Sequence, residues 1–188
     1  MPLLTDLIRN VTDVIDIPVA ASHLQITGIH ADSRRITKGN IFVALQGSAG
    51  PGADYIDAAK KAGAVAILGG IELSGGDFGI PLIKVGNARL ALAQIASVLY
   101  PQQPQHIVVI TGTDGKTSTA DFFRQFWHQM GKRSASIGTL GSLSGAGELL
   151  NPGTHTTPDP VALHQQLAQM EKAGVTHVAM EASSHGLH

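Results

Sequence analysis

The chain has no cysteine among its 188 residues. Disulfides, zinc–thiolate sites and thiol nucleophiles are therefore excluded. Aromatic residues make up only 4% and charged residues 14%, and the formal net charge at pH 7 is -1. So even a balance supplies no broad attraction for nucleic acid or an anionic membrane, and any anionic ligand must be held by a local device. Long apolar runs are missing too, which removes a membrane-spanning helix. Residues 1–10 lack a basic region followed by an apolar core. They read as a short amphipathic stretch and not as a secretion signal, so a cytoplasmic location is expected. What the chain does have is hydrophobic residues, 43% of the total, which suits a packed core and argues against disorder.

Proline and glycine mark the organisation. Pro101-Gln102-Gln103-Pro104-Gln105 is polar, and two prolines so close neither continue a helix nor pair inside a sheet, so it reads as a linker. Before it, residues 41–45, 65–68 and 82–85 read as strands. Between them Tyr55, Ala58, Ala59 and Ala62 share one helical face closed by Gly63, and Asn87 caps a helix whose inner face is Ala88, Ala91, Leu92, Ile95 and Leu99. After the linker, residues 107–110 form an apolar strand of the parallel-sheet kind. The helix that follows is expected to bury Ala120, Phe123, Trp127 and Met130, with Phe122 and Phe126 adding to the packing. Residues 140–153, rich in glycine and serine, read as a loop. Asp159-Pro160 has the form of a cap with proline at the first helical position; the helix presents Leu163, Leu167 and Met170 and stops at Gly174. A strand over 176–180, placed beside the phosphate-loop strand, leads to Glu181. Strands alternating with helices make this an α/β protein. The second half is too short for a complete open parallel sheet, so the sequence reads as cut at His188.

Thr111-Gly112-Thr113-Asp114-Gly115-Lys116-Thr117, with Ser118 next, follows an apolar strand and opens a helix. Glycines there let several backbone N–H groups face one cluster of oxygens, and the helix amino terminus adds partial positive charge. Lys116 can reach terminal phosphates, while the Thr117 hydroxyl suits Mg²⁺. The strict Gly-x-x-x-x-Gly-Lys-Ser/Thr pattern is not met, since Ile110 stands where its first glycine belongs. The plain alternative is a strand-to-helix turn using Gly-Lys for shape alone.

This shortened loop resembles that of the Mur ligase family, Thr-Gly-Thr-Xaa-Gly-Lys-Thr, with Asp114 where asparagine is usual. Four further segments resemble the same family. Asp32-Ser33-Arg34 with Gly39-Asn40-Ile41-Phe42-Val43-Ala44-Leu45-Gln46-Gly47 is similar to the uridine-nucleotide-binding domain of the members that add the third amino acid or the terminal dipeptide. Ile137-Gly138-Thr139-Leu140-Gly141 resembles the segment after the first central-domain helix. Thr156-Thr157-Pro158-Asp159-Pro160 and Met180-Glu181-Ala182-Ser183-Ser184-His185-Gly186-Leu187 are similar to the third-residue ligases.

The resemblance implies a small amino-terminal α/β uridine-nucleotide-binding domain over residues 1–104. The truncated start of a parallel-sheet phosphate-loop ATPase domain would follow over 105–188. It implies ATP and Mg²⁺, with UDP-N-acetylmuramoyl-L-Ala-D-Glu and a free amino acid as substrates, meso-diaminopimelate being expected and lysine the alternative. The family's D-glutamate carboxylate attacks the γ-phosphate of ATP, and the incoming amine captures the acyl phosphate. A monomer without nucleic-acid or membrane partners is expected. The 188 residues alone should be inactive, because the family's remaining metal ligands and amino-acid-binding domain would lie beyond His188.

Carried over by position, Gly112, Thr113, Asp114, Gly115, Lys116, Thr117 and Ser118 would bind ATP. Thr117 and Glu181 would hold the metal, and Lys116 and Glu181 would be catalytic. Ala31, Ser33, Ser48, Ala49 and Gly50 would meet the uridine end, and His155, Thr156, Thr157 and Ser183 the muramoyl-peptide. His155 stands where many relatives have asparagine. Plainer roles stand beside these: a strand-end cap for Glu181, helix entry for Thr156 and Thr157, and surface charge for Arg34 and Arg35. A Ser184–His185 nucleophile pair lacks the Gly-Xaa-Ser-Xaa-Gly elbow. His23, His30, His106, His128 and His164 show no metal-ligand spacing. The rival functions are a Mur ligase adding a different residue and a nucleotide-binding regulatory module without ligation.

Overall fold

The computed structural model describes residues 1–45, 51–73, 77–152 and 156–183. The chain divides into two compact units, Met1–Leu99 and Tyr100–His188, just ahead of the proline-bearing stretch. Among the described residues no helix is long and apolar enough to cross a membrane.

In the first unit, helix α1 (Leu4–Ile8) buries Leu4, Leu7 and Ile8. Strands β1 (Val14–Asp16), β2 (Gly28–His30) and β3 (Asn40–Ala44) follow, then α2 (Ile56–Ala62), β4 (Ala66–Gly69), β5 (Leu82–Val85) and α3 (Ala88–Leu99). The sheet runs β1-β5-β4-β3-β2, with β2 to β5 parallel and β1 antiparallel at the edge. Every residue of β3 and β4 is buried, as parallel strands covered on both faces require. Asn87 caps α3 through its Oδ1, which accepts from the Leu90 N–H at 3.0 Å. Ala88, Ala91, Leu92 and Ile95 face inward as expected, with Ala96 buried in place of Leu99. The face expected for α2 is corrected: Ile56 and Ala59 are buried, while Tyr55, Ala58 and Ala62 are exposed. Tyr55 belongs to a 3₁₀ turn, whose tighter winding breaks the helical register. Ile56 then contributes more apolar surface than an alanine would. Gly63 does close the helix, in the left-handed conformation at φ 109°.

The second unit comprises β6 (His106–Ile110), α4 (Lys116–Gln129), β7 (Ser134–Gly138), β8 (Gly141–Ser144), β9 (Leu149–Asn151), α5 (Pro160–Lys172) and β10 (His177–Glu181). Its sheet runs β6-β10-β7-β8-β9. β10 pairs parallel to both β6 and β7, and Glu181 lies opposite Ile110. Asp159 caps α5, its Oδ1 accepting from the N–H groups of Val161 and Ala162 at 3.1 and 3.0 Å. Leu167 and Met170 pack with Ala135, Ile137, Val178 and Met180, and Leu163 rests against the same cluster.

Two expectations are overturned here. Residues 140–153 are not simply a loop, because β8 and β9 pair antiparallel within them and turn through Gly147 at φ 89°. The aromatic residues of α4 are not core either. Phe122, Phe126 and Met130 are 68%, 61% and 56% exposed, Phe123 is 38% exposed, and Trp127 is half-buried. Ala120 and Arg124 face the sheet instead. Small Ala120 permits close approach, and the Arg124 guanidinium pairs with Asp121 and donates to the carbonyls of Ser144 and Gly145. Those bonds set the helix's rotation and turn the phenylalanines outward. β6 is an edge strand among the described residues, so its Val109 is 53% exposed despite the apolar run.

Candidate functional site

The loop from β6 to α4 leaves the carboxyl end of a parallel strand, where open α/β sheets gather their ligands. Gly112 and Gly115 adopt φ 140° and 76°. Gly115 has open space around it, so backbone conformation and not crowding demands glycine there. It sits at the cap of α4, whose first-turn N–H groups lack helical partners and point into the loop. The Lys116 Nζ donates back across the loop to the carbonyls of Gly112 and Thr113 at 2.7 and 3.1 Å. Thr113, Asp114 and Ser118 are exposed. The loop thus combines amide donors, a helix terminus and a cation at one point, a combination suited to phosphate.

Glu181 closes this site from below. It ends β10 directly across from Ile110 and is only 2% exposed. Its Oε2 accepts from the Thr117 hydroxyl at 2.9 Å, joining the strand to the phosphate-loop helix. Its Oε1 accepts from the Thr139 backbone N–H at 2.8 Å. Thr139 Oγ1 lies 3.2 Å from Oε2 and 3.1 Å from Thr156 Oγ1. Beside it, Thr157 Oγ1 accepts from the Ser183 N–H at 2.9 Å and lies 3.3 Å from the Ser183 hydroxyl. The backbone is pinned as well, since the Ala182 N–H donates to Ile110 at 2.9 Å.

Lys116, Thr117, Glu181, Thr156, Thr157 and Ser183 therefore gather around one end of the second sheet. A buried carboxylate with an adjacent hydroxyl is a hard-oxygen donor set. It fits Mg²⁺, which keeps several waters and leans on substrate phosphates for the rest of its shell. Among the described residues no group of three or more His, Cys, Asp or Glu side chains forms a protein-only metal cage.

Ala31 and Ser33 belong to the first unit, just past the carboxyl end of β2. There Asp32 caps a short turn over Ser33–Arg35. The Asp32 carboxylate accepts from the Arg34 side chain and pairs with it at 2.7 Å. That hydrogen bond holds the Asp32 carboxyl down at about 2. Ser48, Ala49, Gly50 and His155 lie outside the described residues, as does the Ser184–His185 pair.

Two contributors escaped the sequence reading. Thr139 lies inside the 137–141 motif, whose resemblance assigns it no role. Gly138 is the other, because a Cβ there would fall inside the Glu181 carboxylate. A glycine–threonine pair ending a strand was the available signal. At the opposite end of the sheet, His106 and His177 stand side by side with ring centroids 4.5 Å apart, and Trp127 meets His177 edge-on at 5.2 Å. The His177 pKa is lowered, first by burial and then by the charges of His106 and Lys132.

Comparison with known proteins gives a consistent result. A family model described as "Mur ligase family, catalytic domain" matches residues 25–100, and one described as "Mur ligase middle domain" matches 110–188. A UDP-N-acetylmuramoyl-L-alanyl-D-glutamate--2,6-diaminopimelate ligase of Bradyrhizobium diazoefficiens is 49% identical over 98% of this chain and 36% of its own length. The ligase of the same name from Caulobacter vibrioides is 40% identical over 95% of this chain and 37% of its own. This chain thus spans little more than a third of the curated relatives it matches. A solved structure of a ligase of that name aligns with a TM-score of 0.70 at 26% identity, covering 92% of this chain and 35% of that one. A MurF structure from Acinetobacter baumannii aligns over 96% of this chain and 35% of that one, with a TM-score of 0.60 at 20% identity, a likeness of fold alone.

Proposed function

Because this chain belongs to the Mur ligase family, we propose that it carries the precursor-binding and ATP-binding parts of an ATP-dependent ligase. The substrates would be UDP-N-acetylmuramoyl-L-alanyl-D-glutamate and 2,6-diaminopimelate, those in the names of its relatives. Cytoplasmic peptidoglycan-precursor synthesis is the setting this implies. The observation that carries the reading is the buried Glu181 carboxylate, joined by hydrogen bonds to the phosphate-loop Thr117 and, through Thr139, to Thr156.

In this reading the amides from Gly112 to Ser118 cradle the ATP phosphates. Lys116 turns from the loop carbonyls to the transferring phosphate and offsets its charge. Thr117 and Glu181 would hold Mg²⁺, whose contribution is to neutralise charge on the phosphate oxygens. Thr156, Thr157 and Ser183 orient the muramoyl-peptide so that its D-glutamate carboxylate faces the γ-phosphate. Attack of a carboxylate oxygen on the γ-phosphorus forms the acyl phosphate, a new O–P bond, as the bond to the ADP oxygen breaks. The amine of the incoming amino acid then forms the amide and releases inorganic phosphate. Positioning supplies much of the acceleration, since both steps join groups that meet rarely in water. In the first unit, Ala31, Ser33 and the segment Ser48-Ala49-Gly50 would hold the uridine end.

The test is ATP hydrolysis by the full-length protein with and without the muramoyl-dipeptide. A ligase hydrolyses little until the precursor is added. Hydrolysis indifferent to the precursor would favour a nucleotide-binding regulatory module instead.

A further inference from the structure

Thr139 touches both halves of the proposed site, at Glu181 and at Thr156. Its hydroxyl carries a single proton, and both Glu181 Oε2 and Thr156 Oγ1 lie where they can accept it. Glu181 already accepts from Thr117 and from the Thr139 amide, and a carboxylate makes the stronger, charge-assisted acceptor. The Thr139 proton is therefore held chiefly by Glu181 Oε2, and it is freed for Thr156 Oγ1 when a cation takes up the carboxylate's charge. Because Glu181 is buried, water is a poor substitute for a lost donor.

Resting on the ligase reading above, we propose that Thr139 is a positioning residue whose hydroxyl couples the metal-binding carboxylate to the loop that receives the muramoyl-peptide. Occupancy of either side then tightens the other. The coupling is reciprocal, as any linkage between two binding equilibria must be.

The experiment is calorimetric binding of the UDP-muramoyl-dipeptide to the full-length protein, with and without ADP and magnesium. In the unsubstituted protein, ADP and magnesium should tighten precursor binding by roughly threefold to tenfold, the range one hydrogen bond spans. Thr139→Val keeps the shape and the backbone N–H but removes the hydroxyl, and should reduce that factor to near one. Thr139→Ser should retain it. Thr156→Val should match Thr139→Val, and the double variant should lose no more than either. Should Thr139→Val melt early, Thr156→Val reads the same coupling with Thr139 and Glu181 in place. Unchanged coupling in Thr139→Val, additive losses in the double variant, or no coupling in the unsubstituted protein would overturn the proposal while sparing the ligase reading. An unsubstituted protein that binds no precursor would remove both.

Discussion

At Gly138 the site depends on the absence of a side chain, because a methyl there collides with the carboxylate of Glu181. Gly138→Ala should push Glu181 from its place, raise the magnesium requirement of ATP hydrolysis and cost about 1–3 kcal/mol of stability. A magnesium titration and a urea unfolding curve check the two effects. Lys116 behaves differently, since it bonds only to exposed loop carbonyls. Lys116→Ala should lower turnover by about 10²-fold or more while leaving the unfolding midpoint unchanged; retained activity would return the loop to a mere turn. Residues whose chemistry is local were legible from sequence. Lys116 and Thr117 sit in a contiguous motif, and Glu181 ends a recognisable strand. Thr139 was not legible in this way, because its partner Glu181 is 42 residues away. Only the pairing of β10 beside β7 brings them together.

Elements were legible where one face is uniformly apolar and a cap is present. α3 met both conditions, with Asn87 at its start. α4 defeated the same reasoning, because buried Arg124 occupies the inward face that a count of aromatic residues assigns to Phe123. The Arg124 side chain is 7% exposed and that of Asp121 27%. Arg124→Leu strands Asp121 and frees two carbonyls, so a loss of about 2–4 kcal/mol is expected, measurable by chemical unfolding followed through Trp127. The turn after β2 offers a pH test. Asp32 titrates at about 2 instead of 3.8, so its pairing contributes stability above the ordinary value. That contribution fades as pH falls from about 4 toward 2. Arg34 is largely exposed, so the stability at stake is small, but the titration itself is readable. Arg34→Ala should return Asp32 toward 3.8, followed by carboxyl chemical shifts in nuclear magnetic resonance.

On the scale of the molecule, the α/β character followed from alternating apolar runs. The antiparallel β8–β9 pair was hidden by its glycines and serines, residues that usually signal a loop. Exposed Phe122, Phe123 and Phe126 together line one open depression on α4, more apolar surface than single scattered side chains leave. This chain should therefore bind an apolar fluorescent dye and self-associate as its concentration rises. Phe122→Gln with Phe126→Gln should reduce both, as read by dye fluorescence and sedimentation. A chain that stays monomeric and dye-free at high concentration would contradict this.

β10 follows β6 and β7 in sequence yet lies between them. During synthesis on the ribosome, the two earlier strands thus leave the exit tunnel before the one that separates them. Pairing them early would be a mistake to undo, and Glu181 cannot reach Thr117 until β10 has been threaded into the gap. On the proposed reading, the pairing of Glu181 with the phosphate loop is therefore completed only once residues 177–181 have emerged.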